Sequence, residues 1–149
     1  MAAREAAAEG LGRGDVETVA ALATSALGSR ALAAARAARR CWREVPVVAP
    51  VGGRVLEGYV DLLYEDASGR LVVVDWKTDR ARTDAEVDAA LDRYRNQGAA
   101  YAVALEQATR RRVDEVVFVF CRRGPAVERT IAAADLDQAR AAVEAALAS

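Results

Sequence analysis

The spacing of apolar positions changes twice along this chain. The first part repeats alanine, valine and leucine at helical spacing. "DVETVAALATSAL", with Asp15 as its N-cap, predicts one helix. Gly28 breaks it, and Ser29 caps a second, "SRALAAARAARRCW". The pattern then turns β-branched. "REVPVVAP" reads as a short strand, with Pro46 and Pro50 marking an edge or strand ends. Gly52-Gly53 signals a hairpin, "RVLEGYVDLLYED" a second strand, "ASGR" a turn, and "LVVVDWKT" a third strand. Tight turns between the three predict an antiparallel meander. Val72, Val73 and Val74 are apolar on both faces, so the third strand is expected to be central and covered on both sides.

From Thr83 or Asp84 the period is helical again. Val87, Leu91, Tyr94, Gly98, Tyr101 and Leu105 recur three or four apart, up to the basic cluster Arg110 to Arg112. "VDEVVFVFCRR" is another strand, expected to run parallel to its neighbour because a crossover helix precedes it. Gly124-Pro125 turns into the edge strand "AVERTI", and "DLDQARAAVEAALAS" is a last helix. The prediction is an α/β fold in a single domain over residues 1–149. A mixed central sheet, an antiparallel meander plus a parallel strand, is flanked by helices on both faces. Residues 1–43 form its helical N-terminal part, 44–131 the sheet and long helix, and 135–149 the C-terminal helix.

Composition narrows the chemistry. The net charge is −1, so no bulk field attracts polyanions, and nucleic-acid contact would need local arginine patches. Cys41 and Cys121 lie far apart outside any CxxC, which excludes a zinc ribbon and an iron–sulfur cluster. Each reads as a buried free thiol, consistent with a cytoplasmic protein. No apolar run reaches the about 20 residues of a membrane span, so no membrane is expected as partner. The two tryptophans, Trp42 and Trp76, read as core. There is no histidine, which removes Ser-His-Asp and Cys-His catalysis. Chemistry falls to carboxylates, tyrosines, hydroxyls and Lys77, the only lysine among 21 basic residues.

Asp75 and Lys77 are two apart on a strand, so they share a face, with Trp76 on the other. A symmetric hairpin centred near Ser68-Gly69 brings Asp61 opposite Asp75 or Lys77. Two carboxylates there resist ionisation together, and a divalent cation resolves the conflict. Hard oxygen ligands without histidine or thiolate select Mg²⁺ or Mn²⁺. An ammonium beside them suits an anionic substrate, which a broad, always-protonated guanidinium would serve less well. The bland alternative is a solvated cross-strand ion pair.

"GYVD" (Gly58 to Asp61), "VVDWKT" (Val73 to Thr78) and "QGAAY" (Gln97 to Tyr101) together resemble the PD-(D/E)xK nuclease superfamily. They are most similar to the nuclease domain at the C-terminus of RecB- and AddA-type helicase–nucleases of the UvrD-like class. "REVPV" resembles that family's early glutamate segment. The resemblance covers roughly residues 41 to 121. It implies a restriction-endonuclease-like fold and Mg²⁺- or Mn²⁺-dependent hydrolysis of DNA, single-stranded or at duplex ends, in repair or recombination. It implies that Asp61, Asp75 and the Trp76 carbonyl bind metal and that Lys77 positions or activates the attacking water. Glu44 would be an auxiliary acid, and Gln97 and Tyr101 would lie beside the metal and contact DNA. The family typically carries a further metal-binding histidine on an N-terminal helix, and this sequence has none. A catalytically weak DNA-binding or scaffolding module is therefore the alternative. No Walker motif occurs, so a helicase motor is expected elsewhere in the native chain or complex. Arg80 and Arg82, just past the D-x-K strand, are expected to meet phosphates. Arg36, Arg39, Arg40 and Arg43 would form a helical stripe that could do so too.

Overall fold

A computed structural model describes residues 13–51, 54–78 and 83–147. Two short helices lead in, α1 (Arg13–Leu27) and α2 (Arg30–Ala37). The Ser29 hydroxyl accepts from Leu32 N and caps α2 as its sequence predicts. A five-stranded sheet follows, β1 (Arg40–Val51), β2 (Arg54–Glu65), β3 (Leu71–Lys77), β4 (Val113–Phe120) and β5 (Val127–Ala132), in the spatial order of the sequence. β1, β2 and β3 form the antiparallel meander. β4 runs parallel to β3 after the crossover helix α3 (Asp84–Thr109), and β5 closes the other edge antiparallel to β4. The last helix, α4, spans Ala133–Leu147.

Two apolar layers hold the sheet. On one face Leu62, Tyr64, Val72, Val74, Val117 and Val119 meet Ala31 and Ala35 of α2. On the other Leu63, Val73, Val116, Phe118 and Phe120 meet Val87, Ala102 and Leu105 of α3 and Leu136 of α4. The three valines of β3 are at most 2% exposed, as a strand covered on both sides requires. α3 begins with a capping box between Thr83 and Glu86, and Arg110 ends it in the left-handed conformation. Two glycines let backbones approach. A Cβ on Gly98 would sit 3.3 Å from Phe118 Cζ, and one on Gly58 would sit 3.3 Å from Tyr101 Cε1.

The second helix is shorter than its sequence suggests. It ends at Ala37, and by Arg39, whose N–H donates to Glu65 O, the chain has joined the sheet. β1 pairs with β2 from Arg40–Glu65 to Val51–Arg54, and that long ladder overrides the local helix propensity of alanine and arginine. Three consequences follow. Arg36 is helical but Arg39, Arg40 and Arg43 are not, so the arginine stripe does not form. Cys41 and Trp42, expected inside, are exposed on the edge strand; Cys121 is buried as expected. The sheet begins at residue 40 rather than 44. Pro46 falls within β1, where an edge strand tolerates its missing N–H. The Gly52-Gly53 turn lies outside the described residues. Among the described residues no single helix is long and apolar enough to cross a membrane.

Leu62, 1% exposed, anchors the layer under α2, on the face away from Asp75. Leu62→Ala is expected to cost about 2–5 kcal/mol, read as a lowered urea midpoint with an unchanged m-value.

Candidate active site

The ladder between β2 and β3 stops at Leu62–Val74, one step short of Asp61 and Asp75. Beyond it the Asp61 carboxylate takes over, its Oδ2 accepting from Trp76 N at 2.9 Å. On the other side of β3 the Lys77 carbonyl accepts from Cys121 N. Neighbouring residues of a strand turn their N–H and C=O to opposite edges, so the Trp76 carbonyl faces the Asp61 side with no ladder partner there.

The same point is a break in β1. The pairs Arg43–Leu62 and Val45–Val60 flank Glu44 and Asp61, which are themselves unpaired. Val60 packs toward α3 whereas Leu62 packs toward α2, so the alternation of faces slips at Asp61. Glu44 absorbs the slip with φ of 51°, a left-handed value rare for a residue with a side chain. Its side chain is exposed.

Around Asp75 and Lys77 the side chains close a ring. Asp75 is 3% exposed. Lys77 Nζ lies 2.7 Å from its Oδ2 and 2.8 Å from Gln97 Oε1. Gln97 Nε2 donates to the Tyr101 hydroxyl at 2.7 Å, and that hydroxyl lies close enough to Asp75 for each group to influence the other's ionisation. The ammonium dictates the amide's orientation, because a flipped Gln97 would aim NH₂ at it. Gln97 and Tyr101 can reach the strand together because they are one turn apart on α3. Asp75 Oδ2 is buried, and the Lys77 ammonium meets it as an ion pair, with no further hydrogen-bond partner. Burial, the largest influence, raises the Asp75 pKa; Lys77 opposes it and the neighbouring Asp61 adds to it. Burial likewise raises the Tyr101 pKa.

Three of these features mark one known architecture: acids on successive strands, a lysine two beyond the second, and Gln97 and Tyr101 on the crossover helix. The family model of the PD-(D/E)XK nuclease superfamily matches residues 2–149. The chain belongs to that superfamily. It is 39% identical over 112 residues to an ATP-dependent helicase/nuclease subunit from Desulforudis audaxviator, across 68% of this chain and 9% of that protein. It is 36% identical over 72 residues to the protein of the same name from Bacillus pumilus, across 44% of this chain and 6% of that one. The chain thus spans under a tenth of the length of these relatives. The fold is shared with a putative exonuclease from Eubacterium rectale, at a TM-score of 0.58 and 16% identity, covering 83% of this chain and 47% of that one.

In this nuclease-superfamily domain the structure brings together Asp61, Asp75, Lys77, Gln97 and Tyr101. Glu44 stands at the register position opposite Asp61, on the exposed side of the break. Arg80 and Arg82 lie outside the described residues. Two aromatic rings beside Lys77 escape the sequence reading. Lys77 Nζ lies 4.0 Å from the centre of the Tyr94 ring and 5.5 Å from that of Phe118. The spacing holds the clue, since Tyr94 is three residues before Gln97 on one helix face.

A divalent cation fits the donor set. Asp75 offers a buried oxygen partnered by the Lys77 ammonium alone, Asp61 keeps one oxygen beyond its bond to Trp76 N, and the Trp76 carbonyl faces the same gap. Among the described residues no third histidine, cysteine or carboxylate side chain completes a cluster. Mg²⁺ needs no such cage, because it keeps several waters and often binds through one or two carboxylates plus substrate phosphates.

Because the folded carboxyl of Asp75 holds its proton to higher pH than the unfolded one, this group alone makes stability decline as pH rises between the two midpoints. Carbon-13 NMR of the labelled aspartates should show Asp75 titrating above 3.8, the ordinary value, in the metal-free protein.

Proposed function

We propose that this domain hydrolyses DNA phosphodiesters, on single strands or duplex ends, with Mg²⁺ or Mn²⁺, as the nuclease part of a helicase–nuclease acting in repair or recombination. The observation that carries the reading is the convergence of Asp61, Asp75 and the only lysine at the end of a buried strand. Membership of the nuclease superfamily and similarity to two helicase/nuclease subunits support it. Asp61, Asp75 and the Trp76 carbonyl hold the cation, with Glu44 an auxiliary acid. The bound cation supplies charge neutralisation and Lewis-acid polarisation of a phosphate oxygen.

The protein's own groups do the rest. Lys77 presents an ammonium that is mostly enclosed, its side chain 12% exposed, where little water screens its field. It orients the attacking water and stabilises negative charge growing on the phosphate. Gln97 and Tyr101 hold Lys77 and Asp75 in register and border the DNA. Arg80 and Arg82, following β3, take neighbouring phosphates. A second reading, a DNA-binding or scaffolding module, is favoured by the lack of a third ligating side chain beside the two carboxylates among the described residues.

Lys77→Ala is expected to lower Mg²⁺- or Mn²⁺-dependent cleavage of single-stranded DNA by roughly 10²–10³, with the circular dichroism spectrum unchanged. Cleavage at the wild-type rate would overturn the role of Lys77. Calorimetric titration with Mn²⁺ separates the two readings. The nuclease reading requires binding that Asp75→Asn weakens, whereas no binding by either protein supports the module.

A further inference from the structure

The ammonium of Lys77 has more neighbours than the proposed chemistry uses. Asp75 and Gln97 hold it on two sides, and the Tyr94 ring closes a third at 4.0 Å. That ring is itself braced. It stacks on Phe118, with centroids 5.6 Å apart and planes at 28°, and tilts against Phe120 at 6.2 Å. The sheet register explains why these rings meet here. In the parallel ladder Asp75 pairs with Phe118 and Lys77 with Phe120, so the strand beside the D-x-K strand lays two aromatics next to the two charged side chains. Gly98, lying against Phe118 and Val116, lets α3 approach closely enough for Tyr94 to reach them.

We propose that Tyr94 is a positioning residue, whose ring face fixes the Lys77 ammonium by a cation–π contact. This rests on the nuclease reading of the site. Lysine carries its charge on a flexible four-carbon stem, so its place must be imposed by neighbours. Asp75 is a poor sole anchor, because the same buried Oδ2 that faces the ammonium is a donor for a cation. When Asp75 is shared, Gln97 and the Tyr94 ring remain to hold the amine. An aromatic face suits the task. It attracts a cation without carrying a net charge, so it does not ligate the metal and repels a phosphate less than a carboxylate would.

The single lysine makes the contact directly observable. In protein carrying only ¹³C-labelled lysine, one side-chain Hε–Cε correlation is expected. In the wild type its protons should be shifted upfield by the ring, retained in Tyr94→Phe and returned toward the free-lysine value in Tyr94→Leu. A wild-type signal at the free-lysine position, or one unmoved by Tyr94→Leu, overturns the proposal. The kinetic test replaces Tyr94 with phenylalanine and then with progressively fluorinated phenylalanines, which keep the shape while draining the ring's negative face. Cleavage of single-stranded DNA should fall stepwise, by roughly 2- to 30-fold over the series, in kcat rather than KM and with Tm little changed. Equal rates across the series would make Tyr94 packing only. The NMR measurement needs no turnover, so it stands whether or not the nuclease reading does.

Discussion

Burying Asp75 beside Lys77 at the end of an apolar strand is the constraint on which the rest of this domain depends. Removing a carboxylate and an ammonium from water costs several kcal/mol for each, and mutual attraction repays it only with good geometry and further hydrogen bonds. Here repayment comes from a helix. Gln97 accepts from the ammonium and donates to Tyr101, and Tyr94 covers the cation with its ring. These residues act only if α3 lies close on the sheet, which is what Gly98 against Phe118 and Gly58 against Tyr101 permit. Packing of the fold and electrostatics of the site are thus one arrangement.

The break at Asp61 and Glu44 borders that arrangement on its β2 side. A continuous β2–β3 ladder would have paired Trp76 with the backbone of β2. Because the ladder stops at Leu62–Val74, a carboxylate meets Trp76 N instead. The Trp76 carbonyl is left facing the gap. A left-handed residue with a side chain is costly, and such outliers persist where surrounding structure over-determines them. Glu44 is fixed by ladder pairs on both sides, Arg43–Leu62 and Val45–Val60.

How much of this is readable from the chain depends on the range of each interaction. The valine run, the Ser29 cap, the Thr83 helix start and the D-x-K parity are local, and the strand order, the crossover and the meeting of Asp61 with Asp75 follow from them. The end of α2 does not follow, because residues 38–43 prefer a helix alone and yield only to the ladder with β2, which alanine and arginine do not announce. Cys41 and Trp42 read as interior from residue type alone, and the edge strand leaves them exposed. The ring around Lys77 is half visible: Gln97 and Tyr101 stand out as a spaced pair, while Tyr94 looks like one more apolar position. Its contact with Lys77 arises from β4, which follows the lysine only after the whole crossover helix and is adjacent to it only in the sheet.

The lone lysine can also be set against what the arginines do. Arg111 forks between the Glu65 carboxylate and the Gly69 carbonyl, and Arg140 joins Asp137, Glu106 and the Val113 carbonyl. Each works as a planar clasp, spreading several donors across separate acceptors. The slot at Lys77 has a different shape. A carboxylate oxygen, an amide oxygen and an aromatic face converge on one atom from three directions. A compact ammonium satisfies that convergence on one atom, whereas a guanidinium spreads its donors over a broad plane. Side-chain shape, as well as charge, thus distinguishes this slot from the arginine clasps elsewhere in the fold.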